Sequence, residues 1–295
     1  METDSRRFGM IAVVLACGFL APLAAEDLLQ LGQRLYSEGK FTEAEAALRK
    51  APRNNAKARL LLGAALLGQG RREDALAELS AANRLAPGDG EIAKLLGAEL
   101  LAAGRADEAI HLLTPFARRR PGDEEFQLLA IQAYVARGDL GDMAAAGKLG
   151  REALKRFPES PRLLVWRAWS QRDAGDLNGA GRTLEVAVAR DTGDVSAWLL
   201  LGEVRRLEGN FGTAEKIYRR VLEAGEMLDA RIGLGLTLAG KGRLEEAAAE
   251  MEMARGAAPR NSRIRLELSR IYARMGRTED AAREASEFKK LRAGP

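Results

Sequence analysis

Eight glycines recur along the chain, at Gly39, Gly70, Gly104, Gly138, Gly175, Gly209, Gly242 and Gly276, spaced by 31, 34, 34, 37, 34, 33 and 34 residues. A period near 34 confines the chain to folds that stack one small unit many times, because each unit buries its apolar face only against its neighbours. Two further positions keep the same phase. Seven residues before the glycine stands a small residue, at Gly32, Gly63, Gly97, Ala168, Gly202, Gly235 and Ser269, with Ile131 the exception. Five residues after it stands alanine, at Ala44, Ala75, Ala109, Ala180, Ala214, Ala247 and Ala281, and the fourth unit brings Ala146 to that place through a three-residue insertion near residues 141–145.

Around these marks bulky residues recur at helical spacing, as in Leu31, Leu35 and Leu48 or Leu62, Leu66 and Leu79, the pattern of two short helices packed together. Composition agrees, since strong helix formers dominate while aromatics are 5% and prolines number 9. The small residues let the second helix approach the first, and the glycine supplies a left-handed cap between them. Thr42 and Glu45 have the spacing of a capping box at the start of a second helix. Pro87, Pro121, Pro158 and Pro259 stand where they would stop the second helix before the next unit. The units run 25–55, 56–89, 90–123, 124–160, 161–194, 195–227, 228–261 and 262–295. The first is short by a turn at Ala51-Pro52, and the fifth and sixth lack the closing proline, Thr192 standing where one is expected.

On these features residues 25–292 resemble the tetratricopeptide repeat (TPR) family, whose unit is a 34-residue helix-turn-helix. The resemblance implies an all-α, right-handed superhelical solenoid of about eight repeats, working as a non-catalytic scaffold that holds a protein or peptide segment in a concave groove lined by the first helices. It places Leu60, Leu61, Ala64, Leu67, Lys94, Leu95, Ala98, Leu101, Leu128 and Gln132 at an apolar trough in units two to four. Units five and six would add Arg162, Trp166, Trp169, Arg172, Ser196, Leu199, Glu203 and Arg206, and the last unit Arg263, Arg270 and Arg274. Trp and Arg are enriched at protein-binding hot spots, so a partner segment with acidic and apolar side chains suits this face. Trp198 takes the large core position of its unit and is assigned to packing. The family's carboxylate clamp, paired Asn and Lys on successive first helices, has no counterpart here.

Arg6 and Arg7 precede an uncharged stretch, residues 8–25, which closes on Leu23-Ala24-Ala25 before Glu26-Asp27. That order predicts a signal peptide or membrane anchor over residues 1–25 and places the solenoid, residues 26–295, in the periplasm or tethered to the envelope of a bacterium. Val14-Leu15-Ala16-Cys17 resembles a lipobox and makes Cys17 a candidate lipidation site.

No constellation points to catalysis. Cys17 is the only cysteine and His111 the only histidine, which excludes an internal disulfide and a multi-histidine metal site, and no cofactor motif is present. A net charge of +4 spread over 295 residues is too diffuse for nucleic acid. Two rival readings remain at the level of sequence. One is a spacer or homo-oligomerisation module using its ends, with the apolar face of residues 280–291 (Ala281, Ala285, Phe288) covered by another subunit. The other is glycan binding by Trp166 and Trp169.

Overall fold

The computed structural model describes residues 25–139 and 141–293, so the leader pattern, the arginine pair and Cys17 lie outside the described residues. Among the described residues the chain forms sixteen α-helices and no strand. The described residues divide into two compact units, with the boundary between residues 99 and 100. The first unit contains α1 (Ala25–Ser37), α2 (Phe41–Leu48), α3 (Ala56–Gly68), α4 (Arg72–Leu85) and most of α5 (Gly90–Ala102). The second contains α6 (Ala106–Arg119), α7 (Glu124–Arg137), α8 (Asp142–Arg156), α9 (Pro161–Asp173), α10 (Leu177–Arg190), α11 (Val195–Leu207), α12 (Phe211–Ala224), α13 (Leu228–Gly240), α14 (Leu244–Ala257), α15 (Ser262–Arg274) and α16 (Thr278–Ala293). Odd helices pack on the even helix that follows, α1 on α2 and α3 on α4 in the first unit, α7 on α8 through α15 on α16 in the second.

The periodic glycines all adopt φ between +70° and +83°. Side chains rarely enter this left-handed region, so only glycine ends the first helix of each repeat without strain. At Gly39 the turn is closed by two backbone bonds, from the Gly39 amide to the Tyr36 carbonyl at 3.0 Å and from the Lys40 amide to the Leu35 carbonyl at 2.9 Å. The small residue seven positions earlier works by contact. A Cβ at Gly63 would lie 2.7 Å from the fully buried Leu79 of the paired helix. Burying a leucine is worth about 1.5–3 kcal/mol, so this close packing repeated along the chain supplies much of the stability.

Between repeats, side chains cap the next odd helix: Asn55 accepts from the Ala58 amide at 3.0 Å, Ser160 from Leu163 at 3.1 Å and Asp194 from Ala197 at 3.1 Å. Within repeats, Asp176 and Asn210 cap α10 and α12 in the same way, accepting from Gly179 at 2.9 Å and Thr213 at 3.3 Å, whereas Lys40, Arg71, Arg105 and Arg243 stand at the cap position and make no side-chain cap bond. The expected capping box at Thr42 and Glu45 is therefore corrected. Helix α2 begins at Phe41, and Glu45 accepts instead from Arg49 at 2.8 Å, Gln69 at 2.9 Å and Arg71 at 2.9 Å.

The expected irregularities have structural form. Helix α2 has 8 residues where α4 has 14. Helices α4, α6, α8 and α14 end two residues before Pro87, Pro121, Pro158 and Pro259. In the fourth repeat Gly141 makes a second left-handed turn at φ 94°, Arg137 pairs with buried Asp142 at 2.6 Å, and Ala146 reaches the buried alanine position. On α16, Ala281 is buried while Ala285 and Phe288 are half-buried, and the helix shows no large exposed apolar side chain. Its Glu284, 1% exposed, takes Arg255 at 2.5 Å and Arg265 at 2.8 Å.

Candidate partner-binding groove

Three odd helices of the second unit, α7, α9 and α11, line a groove of about 940 Å³. The chain presents the same stripe on each. Leu128, Ile131, Gln132 and Val135 on α7, and Arg162, Val165, Trp166 and Trp169 on α9, follow steps of three, one and three residues, which keep side chains on one helical face. Six residues expected at a groove come together here: Leu128, Gln132, Arg162, Trp166, Trp169 and Ser196. Leu128 and Ile131 form a buried floor, whereas Gln132, Arg162 and Ser196 are exposed. Reading the sequence missed Val135, Val165 and, from the turn before α11, Asp191 and Asp194. The valines could have been found from the same stripe; the turn acids carry no periodic signal.

The two tryptophans have different tasks. Trp166 lies against α8, where a Cβ on Gly150 would collide with its ring, so the side chain is at once packing and groove wall. Its Nε1–H is buried and meets no acceptor among the described residues. Trp169 packs on the core around Ala168 and Leu184 and carries the Arg172 guanidinium 5.6 Å from its ring centre. Arg172 is engaged on both sides, by Glu203 at 2.7 Å and Asp173 at 2.8 Å. Trp198 is a packing residue, as assigned, wedged between two clusters with its Nε1–H on the Thr192 carbonyl at 3.0 Å and Arg220 4.4 Å above its ring.

Leu199, Glu203, Arg206 and Arg263 line a second pocket, of about 230 Å³, with Tyr218 at its base. Arg206, Arg270 and Arg274 line a third, of about 440 Å³, where Glu267 holds Arg270 at 2.9 Å. Leu200 borders the first and second, and Arg206 and Leu236 the second and third, so a continuous trough runs over the odd helices of this unit. In the first unit Leu60, Leu61, Ala64 and Leu67 on α3, and Lys94, Leu95 and Ala98 on α5, are half-buried; so is Leu101, in the last turn of α5. His111 is exposed on α6. Among the described residues no His, Cys, Asp and Glu cluster is placed to hold a metal, and no helix is long and apolar enough to cross a membrane.

Tetratricopeptide repeat profiles match residues 35–98, 95–161, 143–195, 167–227, 201–262 and 232–294. The chain belongs to the tetratricopeptide repeat family. Among solved structures it is similar to a tetratricopeptide repeat protein from Parabacteroides merdae ATCC 43184, at 16% identity with a TM-score of 0.69, over 84% of this chain and 98% of that one. At that identity the likeness is one of fold. No curated protein matches the chain. Tetratricopeptide repeats are in general non-catalytic scaffolds for protein–protein interaction, and this TPR chain carries such repeats from residue 35 to residue 294.

Proposed function

We propose that this TPR protein is an exported adaptor of the bacterial cell envelope which holds a segment of another protein along the odd helices of its second unit. The observation that carries the reading is the groove beside Trp166: a buried apolar floor of Leu128 and Ile131, two half-buried indoles, and a rim of exposed Gln132, Arg162 and Ser196. Residues 1–25 support export, with the segment 8–25 or a lipidated Cys17 as the tether if it is retained. Related exported repeat proteins act in assembly of secretion, pilus or exopolysaccharide systems, and this chain is assigned to that class of task. The spacer reading is weaker, because α16 packs Ala281 against its own neighbours and leaves no large apolar side chain bare.

Because Trp166 also holds α8, the informative variant is Arg162→Ala/Trp169→Ala, compared with the wild-type full chain in capture from detergent-solubilised envelope. A specific protein retained by the wild type and lost by a variant of unchanged helical circular dichroism supports the adaptor reading. Equal capture by both sinks it. Fusion of residues 1–25 to alkaline phosphatase tests export: the enzyme is active only outside the cytoplasm, and an inactive, stable fusion overturns that part.

A further inference from the structure

The pocket beside the apolar groove has an unusual base. Tyr218 of α12 is 3% exposed, and its ring fits between two helices because of two glycines: a Cβ at Gly202 of α11 would come within 2.9 Å of it, and one at Gly233 of α13 closer still. Burial pushes its hydroxyl up to about 12, against the pull of the Arg206 and Arg263 guanidiniums. At neutral pH it is a proton-bearing hydroxyl facing the pocket.

The charges around it are unevenly matched. Glu203 is taken by Arg172 at 2.7 Å. Nearby arginines have carboxylates of their own, Arg205 with Glu208 at 2.7 Å and Arg270 with Glu267 at 2.9 Å. Among the described residues Arg206 and Arg263 pair with none, although both line this pocket. The remaining acid, Asp229, is exposed in the first turn of α13, where the helix N-terminus already favours a negative charge.

We infer that the pocket formed by Arg206, Arg263 and Tyr218 binds a carboxylate side chain of the partner segment, which therefore carries acidic residues beside its apolar ones. The inference rests on the groove reading above. Two guanidinium forks and a hydroxyl are the donors that a carboxylate accepts from, and Leu200 borders both the apolar groove and this pocket, so one extended chain reaches both. An anionic polysaccharide would satisfy the arginines but has no apolar side chains for the floor of Leu128, Ile131 and Val165.

Selection of random phage-displayed peptides on the full chain tests this without knowing the partner. The wild type is expected to enrich Asp or Glu next to Leu, Phe or Trp. A selected peptide remade with its carboxylates as amides should bind about tenfold more weakly, as should the acidic peptide on Arg206→Gln/Arg263→Gln, while Arg206→Lys/Arg263→Lys recovers part of the affinity. Apolar peptides without acidic enrichment, sensitive to Arg162→Ala/Trp169→Ala but indifferent to Arg206→Gln/Arg263→Gln, overturn the inference and leave the groove reading standing. No enrichment, or peptides indifferent to both variants, overturns both. Alginate binding that is lost in Arg206→Gln/Arg263→Gln, with no peptide selected, assigns the pocket to a polyanionic glycan and also overturns the inference.

Discussion

Glu45 in the first repeat and Glu215 in the sixth stand at the same place, six residues after Gly39 and Gly209, and each ties its repeat to the next. Each takes an arginine one turn ahead, Arg49 or Arg219, and an arginine just after the following turn glycine, Arg71 or Arg243. They differ in one partner. Just before that glycine the first seam has the neutral Gln69, at 2.9 Å, and the later one the cation Lys241, at 2.6 Å. Burial pushes the Glu45 carboxyl up, but the hydrogen bonds from Gln69, Arg49 and Arg71 outweigh it and hold the group below its ordinary range. Lys241 first, then Arg219 and Arg243, bring Glu215 down to about 2. Repeats of one architecture thus carry seams that differ in the charge of one partner, and the more strongly lowered carboxyl is the one that faces the extra cation.

The largest expected effect strikes beneath the seams, at the contact between paired helices. Gly202→Val drives a side chain into the Tyr218 ring, which Gly233 hems in from the other side, and should lower unfolding stability by about 2–3 kcal/mol in urea denaturation. The counterpart Gly32→Val meets Leu48, which borders an open cleft of about 450 Å³ left by the short α2, so its cost should be nearer about 1 kcal/mol. Equal losses would show that the short helix brings no local give.

Removing the carboxylates comes next. Glu215→Gln should cost about 1 kcal/mol and Glu45→Gln about 0.5 kcal/mol, small values because their basic partners stand partly in solvent. Acid should reproduce the order. A carboxyl whose folded pKa is depressed adds stability above its unfolded value, about 4.3, and that share is lost as pH falls through the folded value. The contribution of Glu215 should therefore persist at pH 5 and disappear between about pH 4 and the folded value of about 2, with that of Glu45 gone at higher pH. Stability curves of the wild type and the two Gln variants over that range check it. The smallest and sharpest test exchanges the distinguishing partner: Lys241→Gln should raise the Glu215 titration seen by carboxyl NMR, and Gln69→Lys should lower that of Glu45. No movement in either would remove Lys241 as the cause.

Much of the architecture is legible in the chain because the constraints are local and hard. A left-handed turn admits glycine, a close helix contact excludes a side chain, and proline ends a helix, so these marks repeat wherever the repeat does. The groove is legible where it follows helical spacing, as at Leu128, Arg162 and Trp169. The capping box at Thr42 and Glu45 was misread for a definite reason. Its spacing is local, but the partners that claim Glu45, Gln69 and Arg71, are 24 and 26 residues away across a repeat boundary. The double task of Trp166 was hidden in the same way, since nothing around it names Gly150 as the surface beneath its ring.

The sequence by itself determined that the chain is a stack of helix pairs and where the turn glycines and the prolines end a helix, because backbone sterics and helical period act within a few residues. The tertiary structure alone decided which charges cancel. Arg172 and Arg206 lie on successive odd helices and look alike in sequence, yet Glu203 and Asp173 take the first, while the second, beside a buried tyrosine, pairs with no carboxylate among the described residues. Pairing between charges depends on distances of a few ångströms across neighbouring helices, and no spacing along one chain specifies those.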